Sequence, residues 1–209
     1  MSKDLDSQCK KCRRAGEKLF LKGDRCNSPK CAITKRNYPP GIHGSKRRRF
    51  LTNYGQQLAE KQKAKRVYGI LEKQFKIYYQ KAVKKQGDTG EILLQNLEMR
   101  LDNIVFRLGL AKSRRQARQM VNHNLFTVNN KKVNIPSYQV KIKDEIAIKT
   151  TKAKAKNFTN LSKDLENYNA PTWLSLDIND LKGKVVNKPG LEEIKAPFNV
   201  TLIVEFYSR

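Results

Sequence analysis

Apolar positions divide the chain into stretches of different period. From Gln56 to Lys85 there is no proline and one glycine, Gly69, while Leu58, Val67, Ile70, Leu71, Phe75, Tyr78, Tyr79 and Val83 stand among many lysines. The later members recur at three- and four-residue steps, which predicts one long or two shorter amphipathic helices with a wide basic face. Gln86-Gly87-Asp88 interrupts the run, and Thr89 is placed to cap the next helix. Leu93, Leu97, Leu101, Ile104, Val105 and Leu108 fall on one stripe, predicting a second helix that closes near Gly109. Ser113 heads a third helix, Arg114 to about Asn124. Its wheel carries Ala117, Met120 and Val121 on one side and Arg114, Arg115, Arg118 and Asn122 on another.

Beyond that point the period shortens. Phe126-Thr127-Val128, Asn129-Asn130 and Lys131-Lys132-Val133 predict a strand, a tight turn and a strand. Val140, Ile142, Ile146 and Ile148 alternate around Asp144-Glu145 and predict one or two further short strands. Residues 150–169 are polar and patternless apart from Leu161 and Leu165, and Trp173 beside Leu174 and Leu176 is expected to dock on a core. Near the end Val200, Leu202, Val204 and Phe206 alternate with Thr201, Ile203, Glu205 and Tyr207, which predicts a buried strand. The chain is therefore expected to be α+β, with a mainly helical part and a small twisted sheet fed by helices.

Charge then narrows the partners. Lys and Arg number 44 against 19 Asp and Glu, a net of +25. Residues 1–87 carry 24 basic and 6 acidic side chains, residues 88–156 carry 14 and 6, and residues 157–209 carry 6 and 7. The binding surface is expected on the first three quarters, facing nucleic acid, an anionic membrane or an acidic protein. Membrane is the weakest of these, because no run approaches the ~20 apolar residues of a spanning helix. The N-terminus lacks the apolar run of a signal peptide, so a cytosolic setting is expected. Thr34 to Arg49 contains Pro39, Pro40, Gly41 and Gly44 among basic residues. That composition predicts either an extended arm ordered by a polyanion or a plain linker.

Candidate chemistry is concentrated in Cys9, Cys12, Cys26 and Cys31, spaced C-x2-C-x13-C-x4-C. Two short pairs joined by a loop suit a tetrahedral metal, and in a reducing compartment clustered thiols favour metal over disulfides. Four thiolates describe a closed structural zinc site; an iron–sulfur cluster is the alternative, disfavoured because no redox partner site is apparent. The histidines, His43 and His123, sit in basic settings without a sequence-adjacent acid and are read as phosphate or base contacts. Asp102, near Glu98, is read as a structural partner of Arg100 or Arg107. No nucleotide-binding glycine motif is present, and no catalytic residue or small-molecule substrate is assigned.

The run Cys-x2-Cys-Arg-Arg-x-Gly, then Leu-x-Leu-Lys-Gly-x-Arg-Cys and Tyr-Pro-Pro-Gly-x-His-Gly, resembles the family of the fourth protein of the bacterial small ribosomal subunit. The likeness continues through Glu60-Lys61-Gln62-Lys63, Tyr68-Gly69 and Glu98-x-Arg100-Leu101-Asp102-Asn103-x-Val105-x-Arg107-Leu108-Gly109. It extends to Ser113-Arg114-Arg115-Gln116-Ala117-Arg118-Gln119, Trp173-Leu174-Ser175-Leu176-Asp177 and the closing Val204-Glu205-Phe206-Tyr207-Ser208-Arg209. The family's usual short Gly-Pro-containing opening is missing here.

That resemblance implies a cysteine knuckle and basic arm over 1–45, and a helical domain over 46–97 completed by 161–209. It implies an RNA-binding module over 98–160. It also implies a non-enzymatic primary binder of 16S rRNA that nucleates assembly of the 5′ domain and body. Such a protein lies beside the fifth and third small-subunit proteins, where mRNA enters, and contributes to translational accuracy. Arg114, Arg115, Arg118, Lys131 and Lys132, with His123 nearby, are expected to contact one rRNA arm. Others are assigned to the knuckle and arm (Arg13, Arg14, Lys22, Arg25, Lys35, Arg36, His43, Lys46, Arg47, Arg48, Arg49) and to Lys63, Lys65 and Arg66. Three rivals predict different behaviour. An RNA-modifying enzyme needs a further catalytic domain, a zinc-finger regulator prefers duplex DNA, and a free RNA chaperone is absent from purified subunits.

Overall fold

The computed structural model describes residues 6–46, 50–149, 161, 165, 168–178, 180–194 and 196–209. The chain forms two compact units, Met1–Leu93 with Lys195–Arg209, and Leu94–Ile194.

In the first unit the basic stretch forms two helices, α4 (Asn53–Tyr68) and α5 (Glu72–Val83). Thr52 opens α4 by accepting the Gly55 amide at 3.2 Å, and Gly69 closes it in left-handed backbone, φ 64. Three short helices precede them: α1 (Gln8–Ala15), α2 (Asp24–Asn27) and α3 (Ala32–Lys35). The expected C-terminal strand is instead a helix, α9 (Val200–Ser208), packed on α4. Asn199 caps it, accepting the Thr201 amide at 2.9 Å, while its own amide donates to Glu60 at 2.7 Å. Tyr207 reaches Phe75 and Tyr79, with ring centroids 6.0 and 4.7 Å away. Its hydroxyl donates to Glu72 at 2.6 Å. Docking an aromatic face onto α5 thus overrides the strand propensity of the β-branched residues.

α6 (Thr89–Glu98) follows α5, and its cap is Asp88, not the expected Thr89: the Asp88 carboxylate accepts the Gly90 and Glu91 amides at 3.2 and 3.0 Å. The predicted second helix is broken after α6. Arg100 is extended (φ −76, ψ 140), and α7 begins at Leu101 and ends at Arg107. The break lets Leu101 and Asp102 donate backbone hydrogen bonds to Tyr138 and Pro136. Ser113 caps α8 (Arg114–Asn122) by accepting the Gln116 amide.

The second unit contains the sheet, antiparallel throughout, in the order β2-β1-β3-β5-β4. Its strands are β1 (Phe126–Val128), β2 (Lys131–Lys132), β3 (Glu145–Ile148), β4 (Leu174–Asp177) and β5 (Lys182–Val185). Val140 and Ile142 fall outside it. Segment 161–194, expected from sequence to complete the helical domain, belongs here: β5 pairs with β3, and Leu161, Leu165 and Trp173 join the core around Leu101, Ile104, Val121 and Ile146. Only 195–209 returns to the first unit. At Gly183 the sheet meets α7 so closely that a Cβ would lie 2.3 Å from Leu108 Cδ1, leaving no room for a side chain.

Glu72 joins α4, α5 and α9, accepting Lys61 at 2.9 Å, Lys65 at 2.8 Å and Tyr207. Burial alone would raise its carboxyl, but hydrogen bonds from Lys65, Tyr207 and Lys61 outweigh it and hold it at about 2. A folded value below the unfolded ~4.3 gives stability that is complete above pH ~4.5 and lost as pH falls toward 2. With the carboxylate 44% exposed, solvent screening leaves about 1–2 kcal/mol. Glu72→Gln is expected to lose that amount at pH 7 and to flatten the acid limb of urea-unfolding stability between pH 4.5 and 2. An unchanged acid limb would show that Glu72 is not coupled to folding.

Candidate nucleic-acid interface and cysteine head

The head is built by turns around sulfur. Cys9 and Cys12 lie one turn apart on α1, which Gly16 ends in left-handed backbone (φ 84). Cys26 sits in α2, and Cys31 immediately precedes α3. Cys12, Cys26 and Cys31 are buried, Cys9 is half-buried, and all four are free thiols. Amide N–H groups converge on them: Lys22 donates to Cys26 Sγ at 3.3 Å and Leu19 to Cys12. Burial pushes the Cys12 thiol up, and nearby Cys26, Cys9 and Cys31 add to that. Burial also raises Cys31, but hydrogen bonds from Ile33 and Thr34, with Lys18 nearby, leave it lowered. Among the described residues no group of three or more His, Cys, Asp and Glu side chains has the arrangement that holds a metal ion.

The segment expected as an extended arm is folded back where it is described. Arg13 donates to the Tyr38 and Pro39 carbonyls at 2.9 and 3.1 Å and lies over the Tyr38 ring. Turns join Gly41 to Gly44 and His43 to Lys46. Gly44 tolerates no side chain, since a Cβ would overlap the Pro39 carbonyl oxygen. Arg14, Pro39, Pro40, His43 and Lys46 line an open depression of roughly 490 Å3. Arg13 is thus a brace for the loop. Arg14, Lys22, Arg25, Lys35, Arg36, His43 and Lys46 are exposed cations or imidazoles, and Arg47, Arg48 and Arg49 lie outside the described residues.

Two more residues expected at the RNA have internal partners. Lys63 bridges Glu17 and Glu60, each at 2.7 Å, and Lys65 holds Glu72. Burial works against the Lys63 ammonium, yet the two carboxylates raise it overall. Arg66 is half-buried on the same helix.

On the second unit, α8 does not present all its arginines outward. Glu98 is fully buried, and Arg107 grips it through two hydrogen bonds, at 2.9 and 2.8 Å. Asn103 donates to Glu98 at 2.6 Å and accepts Arg114 Nε at 2.7 Å. Asp102 takes Arg100 at 3.0 and 2.6 Å and Arg118 at 3.3 Å. Arg114 and Arg118 are therefore half-buried and fixed in direction, Arg114 also lying 4.6 Å from the Phe106 ring centroid. Arg115 and His123 are exposed. The pairing of Asp102 with Arg100 agrees with the sequence, whereas Glu98 and Asn103 as anchors of Arg114 do not follow from it. Their signal was a polar side chain beside an otherwise apolar stripe.

Lys131 and Lys132 are exposed on β2. The turn before them, Asn129-Asn130, has φ 48 and 61 and is braced: the Asn129 side chain donates to Asp144 at 2.8 Å and accepts the Glu145 amide at 2.9 Å.

A cysteine-rich head, exposed cations on both units and an arginine helix beside a small sheet define a two-unit basic protein of the polyanion-binding class. Comparison with known proteins gives the family. Residues 3–98 match the Ribosomal protein S4/S9 N-terminal domain and residues 99–146 the S4 domain. Small ribosomal subunit protein uS4A of Alkaliphilus metalliredigens is 52% identical over 209 residues, all of both chains. The uS4 of Acetivibrio thermocellus is 51% identical over the full length of both, and that of Halothermothrix orenii 55% over 96% of each. The chain belongs to the uS4 family. Among the described residues no helix is long and apolar enough to cross a membrane.

Glu98→Gln is expected to destabilise the second unit by about 3 kcal/mol, because it leaves Arg107 and Arg114 without their carboxylate. Arg115→Ala, on the exposed side of α8, is expected to cost less than about 0.5 kcal/mol. Urea unfolding of the two variants checks the contrast, and equal costs would mean that the network does not organise α8.

Proposed function

We propose that this chain is a structural constituent of the small ribosomal subunit and a primary binder of 16S rRNA in the bacterial cytoplasm, with no catalytic role. Full-length relatedness to uS4 proteins carries this reading, together with cations fixed on both units. It nucleates the 5′ domain and body beside the fifth and third small-subunit proteins, near the channel through which mRNA enters, and contributes to translational accuracy. RNA helices are recognised through phosphates and shape, so direction-fixed guanidiniums and braced lysines suit a junction where several backbones converge. We assign direct contact to the exposed set Arg14, Lys22, Arg25, Lys35, Arg36, His43, Lys46, Arg115, His123, Lys131 and Lys132. Arg114 and Arg118 act from their pinned positions. RNA recognition is centred on 98–160, and the sheet continues into β4 and β5 for support.

Log affinity for a transcript of the 16S rRNA 5′ domain should fall steeply and linearly with log salt. A nearly flat plot, or preference for duplex DNA in direct competition, would sink the reading.

The four cysteines hold one structural zinc in this proposal. Three buried thiols, a half-buried fourth and amide groups aimed at two of the sulfurs support it. Zinc would tie α1, α2 and α3 into one rigid head. Elemental analysis of anaerobically purified protein should give one zinc per chain. Cys26→Ser or chelation should loosen the head and weaken RNA binding while the second unit stays folded by hydrogen exchange. Iron with sulfide would overturn the zinc assignment.

A further inference from the structure

Phe20 lies between the two cysteine pairs in left-handed backbone, φ 51, and the residue is 55% exposed. That conformation is unfavourable for a bulky L side chain. Elsewhere the chain manages it differently. Asn124, Asn129 and Asn130 are of a type that tolerates it, Leu181 recovers contact by packing against the core, and Lys143 (φ 72) ties its amide to the Val185 carbonyl at 2.8 Å.

The turn itself explains the backbone. Leu19 directs its amide at Cys12 and Lys22 donates to Cys26 Sγ at 3.3 Å, so the chain reverses between them. Glycine or asparagine would make that turn without strain. Phenylalanine neither relaxes the backbone nor buries its ring, while the adjacent Leu19, 4% exposed, supplies the packing. The turn accounts for φ and leaves the aromatic side chain unexplained. Around it Lys18, Lys22 and Arg25 are exposed, with Asp24 the single acid in residues 18–25. An exposed ring among cations is how proteins hold unpaired bases: the ring stacks and the cations follow the backbone.

We propose that Phe20 is a stacking platform for an unpaired base of the bound RNA, with Lys18, Lys22 and Arg25 drawing in the flanking phosphates. The proposal rests on the rRNA-binding reading above. A strained turn fixed to the cysteine head holds the ring in place before RNA arrives, which reduces the ordering cost on binding.

Phe20→Asn suits the turn, so its thermal midpoint should match or exceed that of the native chain. Its affinity for the 16S 5′-domain transcript should fall roughly 5- to 100-fold. The slope of log affinity against log salt should not change, because no phosphate contact is removed. Phe20→Trp should keep affinity, and its indole emission should be quenched by RNA over the constant background of buried Trp173. Native affinity in Phe20→Asn overturns the proposal, and so does joint loss of affinity and thermal stability, which would make the ring structural. Native RNA affinity with poor incorporation into subunits would assign the ring to a protein contact and overturn it too. If the unsubstituted chain itself ignores the transcript, the rRNA-binding reading fails first and takes the stacking with it.

Discussion

Excess positive charge is the constraint on which the rest of this structure depends, and a few carboxylates manage it by each holding several donors. Glu72 collects Lys61, Lys65 and Tyr207 in one unit, while Glu98 collects Arg107 and Asn103, and Asp102 collects Arg100 and Arg118, in the other. With acids this scarce, isolated one-to-one ion pairs could not hold the helices together. Shared carboxylates let a fold form while most of its cations remain outward. They sort the basic residues into those that build the scaffold and those that stay exposed.

This sorting was the part least legible in the sequence. Arg114, Arg115 and Arg118 share one side of a helical wheel, yet Arg115 alone is exposed, because Glu98 and Asn103 reach Arg114 and Asp102 reaches Arg118. Nothing in residue type separates Lys63, bound to Glu17 and Glu60, from Lys35, which is exposed. Charge marks the face of a helix; which cation meets an acid depends on a neighbour distant in sequence.

Local rules served better where geometry is local. The Ser113 cap, the Asn129-Asn130 turn and the Phe126–Val128 strand appear as expected. They failed where a long-range partner decided the outcome. The stripe from Leu93 to Leu108 continues in phase across Arg100, so its periodicity conceals a break made by pairing with the Pro136–Val140 segment. At 200–207 nearly every position is apolar, so strand and helix fit equally well, and docking on α4 and α5 chose the helix. Segment 174–185 joins the sheet through β3, a pairing with no trace in local composition.

Strand β2 is an outer edge of the sheet, and both of its residues are lysines. A sheet edge with unsatisfied amides and carbonyls invites another chain to add a strand, a hazard for any protein that waits in solution before finding its place. Two adjacent ammonium groups repel an identical edge approaching in register. The same pair that the proposed function assigns to a phosphate backbone thus disfavours edge-to-edge pairing between copies of the chain.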